Sequence, residues 1–126
     1  MLVSIHVDNT LPLPVEAFCQ TLSRASRSIT FRPGIVAFRL EGESISYPQT
    51  YKKLPKSFYK SIEGDDRAII GSSVPYDNNW FFEGAGRLII VSFSGWNLLT
   101  SLPVTNGLAY FVAALLGGQW RGDAMQ

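Results

Sequence analysis

The sequence predicts an α/β layered domain: a single mixed sheet of about four to five strands carrying two main helices. Three observations predict it. Leu2 to Asp8 alternates, with Val3, Ile5 and Val7 on one side and Ser4 and His6 on the other, the period of a strand. Val15, Phe18, Cys19 and Leu22 fall at i, i+3, i+4 and i+7, one apolar stripe of a helix. Leu88 to Val91 is an unbroken apolar run, as expected of a strand buried on both faces, and an apolar helical segment follows it. Strand-like and helix-like segments taking turns along one chain imply helices laid on a sheet.

Taken in order, the first strand is ended by Pro12 and Pro14, and Pro14 suits the first turn of the helix that follows. The segment from Ile29 to Gly42 reads as two short strands or one bulged strand broken at Pro33-Gly34. Tyr47 to Lys60, with Pro48 and Pro55, reads as an irregular loop leading to a short helix around Lys56 to Ile62. Arg67 to Ser72 is a strand. Pro75 to Arg87 is a loop rich in turn formers that carries three adjacent aromatics, Trp80, Phe81 and Phe82. Gly84 and Gly86 suit a turn or bulge with close backbone approach. The strongest strand, beginning at Leu88, is followed by a connection from Asn97 to Val104. A final helix then spans roughly residues 106–117, with Thr105 or Asn106 as its cap and Gly117 closing it. Because that helix is apolar all round, it is expected either at the centre of the fold or docked on a partner.

The chain has 126 residues, a suitable length for one domain (1–126) that buries roughly two thirds of its unfolded surface. Apolar residues make up 46% of it and aromatics 13%, which excludes a disordered chain and allows a packed core. A lone cysteine, Cys19, and the lack of a basic leader before the first strand point to a cytoplasmic protein. The nine uncharged residues Leu108 to Leu116 fall well short of the ~20 needed to span a bilayer, so no membrane role is expected. Between Arg24 and Lys60 eight bases face two acids, a charge of +6, while the remainder carries three bases and eight acids, a charge of −5. Such asymmetry suits an acidic partner or nucleic acid or, more simply, a solvated basic face opposite an acidic one.

Most catalytic chemistry fails on residue types. His6 is the only histidine and has no cysteine or acid at metal-ligand spacing, so neither a metal site nor a cofactor is expected. It reads as a strand residue at the sheet edge, with Asp8 on the same face. No serine lies in a G-x-S-x-G elbow, and the G-x-G of Glu83 to Arg87 precedes a strand where a dinucleotide site needs a helix. Asp65 and Asp66 sit in a turn where solvation accounts for them, and Asp77 can close an Asx-turn on its own backbone. Glu83, among bulky aromatics, is the acid with the best functional prospects. Lys52, Lys53, Lys56 and Lys60 interleave with Tyr51, Phe58 and Tyr59, a mixture that nucleic acid could use by stacking and phosphate attraction. The simpler account has the lysines in solvent and the aromatics turned toward the core.

The order of elements and the segment Ala68 to Trp96 resemble the upper subdomain of zincin metallopeptidases, the archaemetzincin group in particular. The residues carrying the resemblance are Ile69-Ile70-Gly71-Ser72, Tyr76-Asp77, Phe81-Phe82-Glu83-Gly84 and Leu88 to Ser92. In that family an active-site helix bearing H-E-x-x-H comes next. Here that place is held by Asn106 to Gly118, which contains neither histidine nor glutamate. The resemblance therefore implies a zincin-like scaffold without its zinc ligands and without that peptidase mechanism. It also implies a surviving property, since in the family an extended peptide pairs with the sheet edge above the helix. The matching stretch is Trp80 to Gly86, making Trp80, Phe81, Phe82, Glu83, Gly84 and Gly86 the candidate binding residues.

The expected function is thus a non-catalytic, protein- or peptide-binding regulatory module, with homo-oligomerisation as a further option. Two alternatives stand beside it: a metal-independent hydrolase using Glu83, Asp77 or His6, and a nucleic-acid-binding factor using Lys52 to Lys60.

Overall fold

The computed structural model describes residues 1–9, 11–34, 39–79 and 81–116. Trp80 and Gly117, both singled out above, lie outside the described residues. Five strands, β1 (Leu2–Val7), β2 (Thr30–Pro33), β3 (Arg67–Ser72), β4 (Phe82–Ala85) and β5 (Leu88–Ser92), form one sheet in the order β2-β1-β3-β5-β4. The first four in that order are parallel, and β4 runs antiparallel to β5. The helices are α1 (Val15–Ala25), α2 (Gln49–Lys53), α3 (Lys56–Ser61), α4 (Trp96–Leu99) and α5 (Val104–Ala114). The α/β class and the mixed sheet expected from the sequence are what the chain forms.

Two apolar clusters flank the sheet. On one face Val3, Ile5, Ile69, Ile89 and Val91 meet Phe18 and Cys19 of α1 and Leu108 and Val112 of α5. On the other Ala68, Ile70, Leu88 and Ile90 meet Tyr51, Leu54, Phe58 and Ile62, the buried side of α2 and α3. With helices on both faces, β3 and β5 have no solvated side, which is why their sequences run apolar without alternation.

The first strand forms where its alternation predicts, and its polar residues Ser4, His6 and Asp8 are all buried, at 0%, 2% and 0% exposure. The burial is possible because these groups find partners: Ser4 Oγ lies 2.8 Å from His6 Nε2, and the Asp8 carboxylate accepts from Leu40 N at 2.9 Å. His6 is not at the sheet edge, since β1 has β2 on one side and β3 on the other.

Four of the helices begin directly after a proline, Pro14, Pro48, Pro55 and Pro103, and no side chain caps any of them. Each proline carbonyl accepts an early backbone bond of its helix, from Phe18 N, Lys52 N, Tyr59 N and Gly107 N. Proline at this position loses nothing, because its missing N–H would have had no helical partner. This overturns two expectations. Thr105 and Asn106 lie within the first turn of α5 and do not cap it, and the stretch after Pro48 is helical where a loop was expected. The connection after β5 likewise contains the short helix α4.

The final helix is buried on one side only. Gly107, Leu108, Val112 and Leu115 face the sheet, whereas Tyr110 is 70% exposed.

Candidate peptide-binding edge

The stretch expected to be a loop with a peptide-binding edge contains β4, the last strand of the sheet. Its register with β5 pairs Phe82 with Val91, Glu83 with Ile90, Gly84 with Ile89 and Ala85 with Leu88. Gly86, at φ +63°, makes the tight turn between the two strands in the left-handed region that favours glycine. Ser92 N donates to Phe81 O at 2.7 Å, so Phe81, Glu83 and Ala85 turn their backbone groups toward β5. The alternate residues Phe82 and Gly84 must then direct N–H and C=O away from the sheet, and among the described residues no strand pairs with that side.

Side chains alternate in the same way. Phe82 and Gly84 share the α5 face with Val91 and Ile89, and Glu83 projects to the opposite face beside Ile90. Phe82 meets Phe111 of α5 edge-to-face at 5.9 Å. Phe111 in turn contacts Phe93 at 6.0 Å and Tyr110 at 5.8 Å. The free edge is therefore bordered on the α5 face by an aromatic shelf with exposed Tyr110 at its margin, while Phe81, 50% exposed, lies near Tyr76 on the other face. The sequence from Leu88 to Trp120 carries no ionisable charge, so the helix side of this shelf is neutral throughout.

A pair of tyrosines clasps β4 to its neighbour from the other face. Tyr51 Oη of α2 donates to Glu83 O at 2.5 Å and accepts from Ile90 N at 3.3 Å, touching both strands at the pair Glu83–Ile90. Tyr76 Oη donates to Ile90 O at 2.6 Å and lies 2.8 Å from Tyr51 Oη. Burial raises both phenols above their ordinary range. The clasp was missed in the sequence although a signal was present: Tyr51, Leu54, Phe58 and Ile62 recur at helical spacing within the lysine-rich stretch.

The other sequence candidates do not assemble. His6, Ile70, Ile90 and Glu83 stand in one row across the sheet, so three strand spacings, about 14 Å, separate His6 from Glu83. Asp77 does not use its carboxylate on its own turn; that group accepts from Ser46 Oγ at 2.6 Å. Burial, and then the nearby Arg32 cation, lower the His6 pKa to about 4, so the imidazole is neutral at neutral pH. Asp65 is not a solvated turn acid: it is 4% exposed and holds Arg32 through both carboxylate oxygens, at 3.1 and 2.6 Å. Asp66 accepts from Leu2 N at 2.7 Å.

Asp8 and Ser72 stand at the carboxyl ends of adjacent β1 and β3, where connections leave in opposite directions and α/β sheets commonly bind ligands. Both are fully buried, and Ser72 Oγ donates to the Asp8 carboxylate at 3.2 Å. That crevice is thus filled by the chain itself. Cys19 is buried, and burial pushes its thiol up to about 11, far from a nucleophile's range. Lys52, Lys53, Lys56 and Lys60 are exposed, while Tyr51 and Phe58 turn inward at 3% and 0% exposure; Tyr59 is partly exposed, and its hydroxyl donates to Tyr51 O. Among the described residues no group of three His, Cys, Asp or Glu side chains could hold a metal ion, and no helix is long and apolar enough to cross a membrane. Compared with known proteins, the chain matches no family model, no curated protein and no solved structure.

Proposed function

We propose that this protein is a non-catalytic, zincin-like module of the cytoplasm that binds an extended peptide, from a partner protein or a second copy, by adding it as a sixth strand beside β4. The observation carrying the reading is the edge itself: two outward-facing residues, Phe82 and Gly84, offer backbone donors and acceptors beside an aromatic shelf. The zincin-like part is supported by the element order, with an antiparallel aromatic-glycine edge strand beside β5 and a helix after β5 packed on the face that carries Phe82. That helix, Val104–Ala114, contains neither histidine nor acid, so nothing on it could bind zinc or act as a general base. The ~14 Å between His6 and Glu83 argues against these two acting as one acid/base pair. Lys52 to Lys60, their aromatic neighbours mostly buried, form a solvated basic face rather than a stacking platform.

The test uses ¹⁵N-labelled protein titrated with a library of extended peptides. Binding should shift the amides of Phe82 and Gly84 first. Gly84→Pro deletes one outward N–H while leaving the β5 ladder intact, and should abolish binding without unfolding the protein. Shifts confined to the lysine face or to α1, or peptide cleavage that a chelator stops, would sink the proposal.

A further inference from the structure

The basic excess between Arg24 and Lys60 plays no part at the β4 edge, yet it supplies two cations to one cavity elsewhere. Arg39 and Lys53 both line a hollow of about 270 Å³ between α2 and the segment from Arg39 to Ser46. Buried Leu40 and Leu54, members of the second apolar cluster, line it from within, which puts it on the face of the sheet opposite α5. Its walls are fastened on both sides. Leu40 N–H donates to the Asp8 carboxylate at 2.9 Å, just beyond the end of β1. Ile45 N–H donates to Pro75 O at 2.7 Å, and Ile45 O accepts from Asp77 N at 3.0 Å, beyond the end of β3. Ser46 N–H donates to Thr50 Oγ1 at 2.9 Å and Thr50 N–H to Ser46 O at 2.8 Å, closing the segment onto α2. The cavity therefore stands at the carboxyl ends of parallel strands, the side on which α/β sheets bind ligands. It lies outward of the Asp8–Ser72 crevice, which the chain itself fills.

We propose that this cavity binds a small phosphomonoester that carries hydroxyl groups. Among the described residues the one ion pair joins Arg32 to Asp65, so neither Arg39 nor Lys53 has a charged partner within the chain. A phosphomonoester bears a charge of about −1.5 to −2 at neutral pH, which two cations match and one does not. The guanidinium offers its oxygens a planar fork, and the ammonium adds a point charge. Glu41, the one acid lining the cavity, opposes a bare anion but accepts hydrogen bonds from hydroxyl groups at the other end of an ester. Ser44 and Gln49 add a hydroxyl and an amide to the same wall. The volume falls somewhat below the ~300 Å³ at which sites for drug-sized ligands begin, so the occupant is small.

The experiment titrates ¹⁵N-labelled protein with glycerol 3-phosphate, inorganic phosphate and glycerol. Glycerol 3-phosphate should shift the amides of residues 40–46 and 49–54 saturably, at concentrations about tenfold below those inorganic phosphate requires, and glycerol should shift none. Arg39→Gln and Lys53→Gln, both at exposed positions, should each weaken the ester about tenfold through loss of a charge-assisted bond. Lys60→Gln, outside the cavity, should weaken it by less than about twofold. Glu41→Gln should tighten inorganic phosphate severalfold and so narrow the ester's advantage over it. The site falls if glycerol 3-phosphate leaves those amides in place, if Lys60→Gln weakens it as much as Lys53→Gln, or if inorganic phosphate binds equally well. Strand addition is tested separately, because no residue of β4 lines this cavity.

Discussion

Tyr51→Phe tests what holds the edge strand β4 in place. The Tyr51 hydroxyl is one member of a buried chain of oxygens, Glu83 O, Tyr51 Oη, Tyr76 Oη and Ile90 O, separated by 2.5, 2.8 and 2.6 Å. Two phenolic protons serve these three links, so at any instant one link carries none. Removing the Tyr51 hydroxyl therefore does not cost three hydrogen bonds. The Tyr76 proton settles fully on Ile90 O, and the carbonyl of half-buried Glu83 can turn to water. Ile90 N–H, in a residue with 0% exposure, loses its 3.3 Å contact with the phenol but stays in the ladder opposite Glu83. A net hydrogen bond contributes about 0.5–1.5 kcal/mol, and Glu83 O and Ile90 N both lose the phenol, so the expected loss is about 2 kcal/mol. Tyr76→Phe leaves only a carbonyl short of a partner, which structures tolerate better, and should cost about 1 kcal/mol.

Because the two hydroxyls touch, the double variant should fall short of the sum of the singles. Urea unfolding monitored by tryptophan fluorescence measures all three, read from the midpoint at unchanged slope. Hydrogen exchange adds a local readout, with the amide of Ile90 losing protection before those of β3. A Tyr51→Phe loss below about 0.5 kcal/mol, or Tyr76→Phe costing clearly more than Tyr51→Phe, would refute the bridge as the element fastening β4.

The buried imidazole makes two further outcomes testable. His6 has a folded pKa lowered to about 4, so above its unfolded pKa of ~6.5 it is neutral in both states and costs nothing; as pH falls from 6.5 toward 4 only the unfolded chain takes up the proton. Stability should decline across that window by up to about 3 kcal/mol, and His6→Gln should flatten the decline in chemical denaturation at stepped pH. Gly34→Ala should destabilise by about 2–3 kcal/mol in thermal unfolding, since its Cβ would lie 2.1 Å from His6 Nδ1 and a buried ring has no room to retreat; a neutral effect would show that β2 can shift away.

How legible the fold was depended on whether a segment's pattern was set locally or by what covers it. β3, from Arg67 to Ser72, and the burial of β5 on both faces could be read in advance, because an apolar run between turn formers has few other uses. The α1 stripe held for the same reason, with Phe18 and Cys19 buried as its periodicity requires. β1 formed as its alternation predicts, but alternation reports polarity and not place: His6, read at the sheet edge, lies on an inner strand. Ser4 and His6 are buried against each other, and Asp8 by partners from Leu40 and Ser72, far along the chain. The helices after Pro48, Pro55 and Pro103 show a second ambiguity, since proline breaks a helix from within and starts one from its first turn. Asp65 shows a third: a carboxylate in a turn looks solvated until Arg32, 33 residues earlier, is brought onto it.

The edge strand β4 was not legible from its residues: the stretch reads as a loop, and only the family resemblance put a sheet edge there. Phe82 to Ala85 has no strand-like alternation of its own, and a glycine at its centre weakens it as a strand. Local propensity therefore cannot account for β4; the β5 ladder and the tyrosine clasp hold it there. A strand with so little intrinsic preference would be an odd choice if its task were to finish the sheet, because β-branched residues serve that end better. Glycine at the exposed α5 face and phenylalanine beside it make sense if the strand is to be covered by something else. The clasp then has a purpose beyond stability. In the proposed strand addition it keeps the N–H and C=O groups of Phe82 and Gly84 aligned in advance, so that the ordering of a four-residue edge does not oppose binding. Loosening the clasp by Tyr51→Phe should accordingly weaken peptide affinity even at temperatures where the protein remains folded, which ties the buried tyrosines on one face to recognition at the edge.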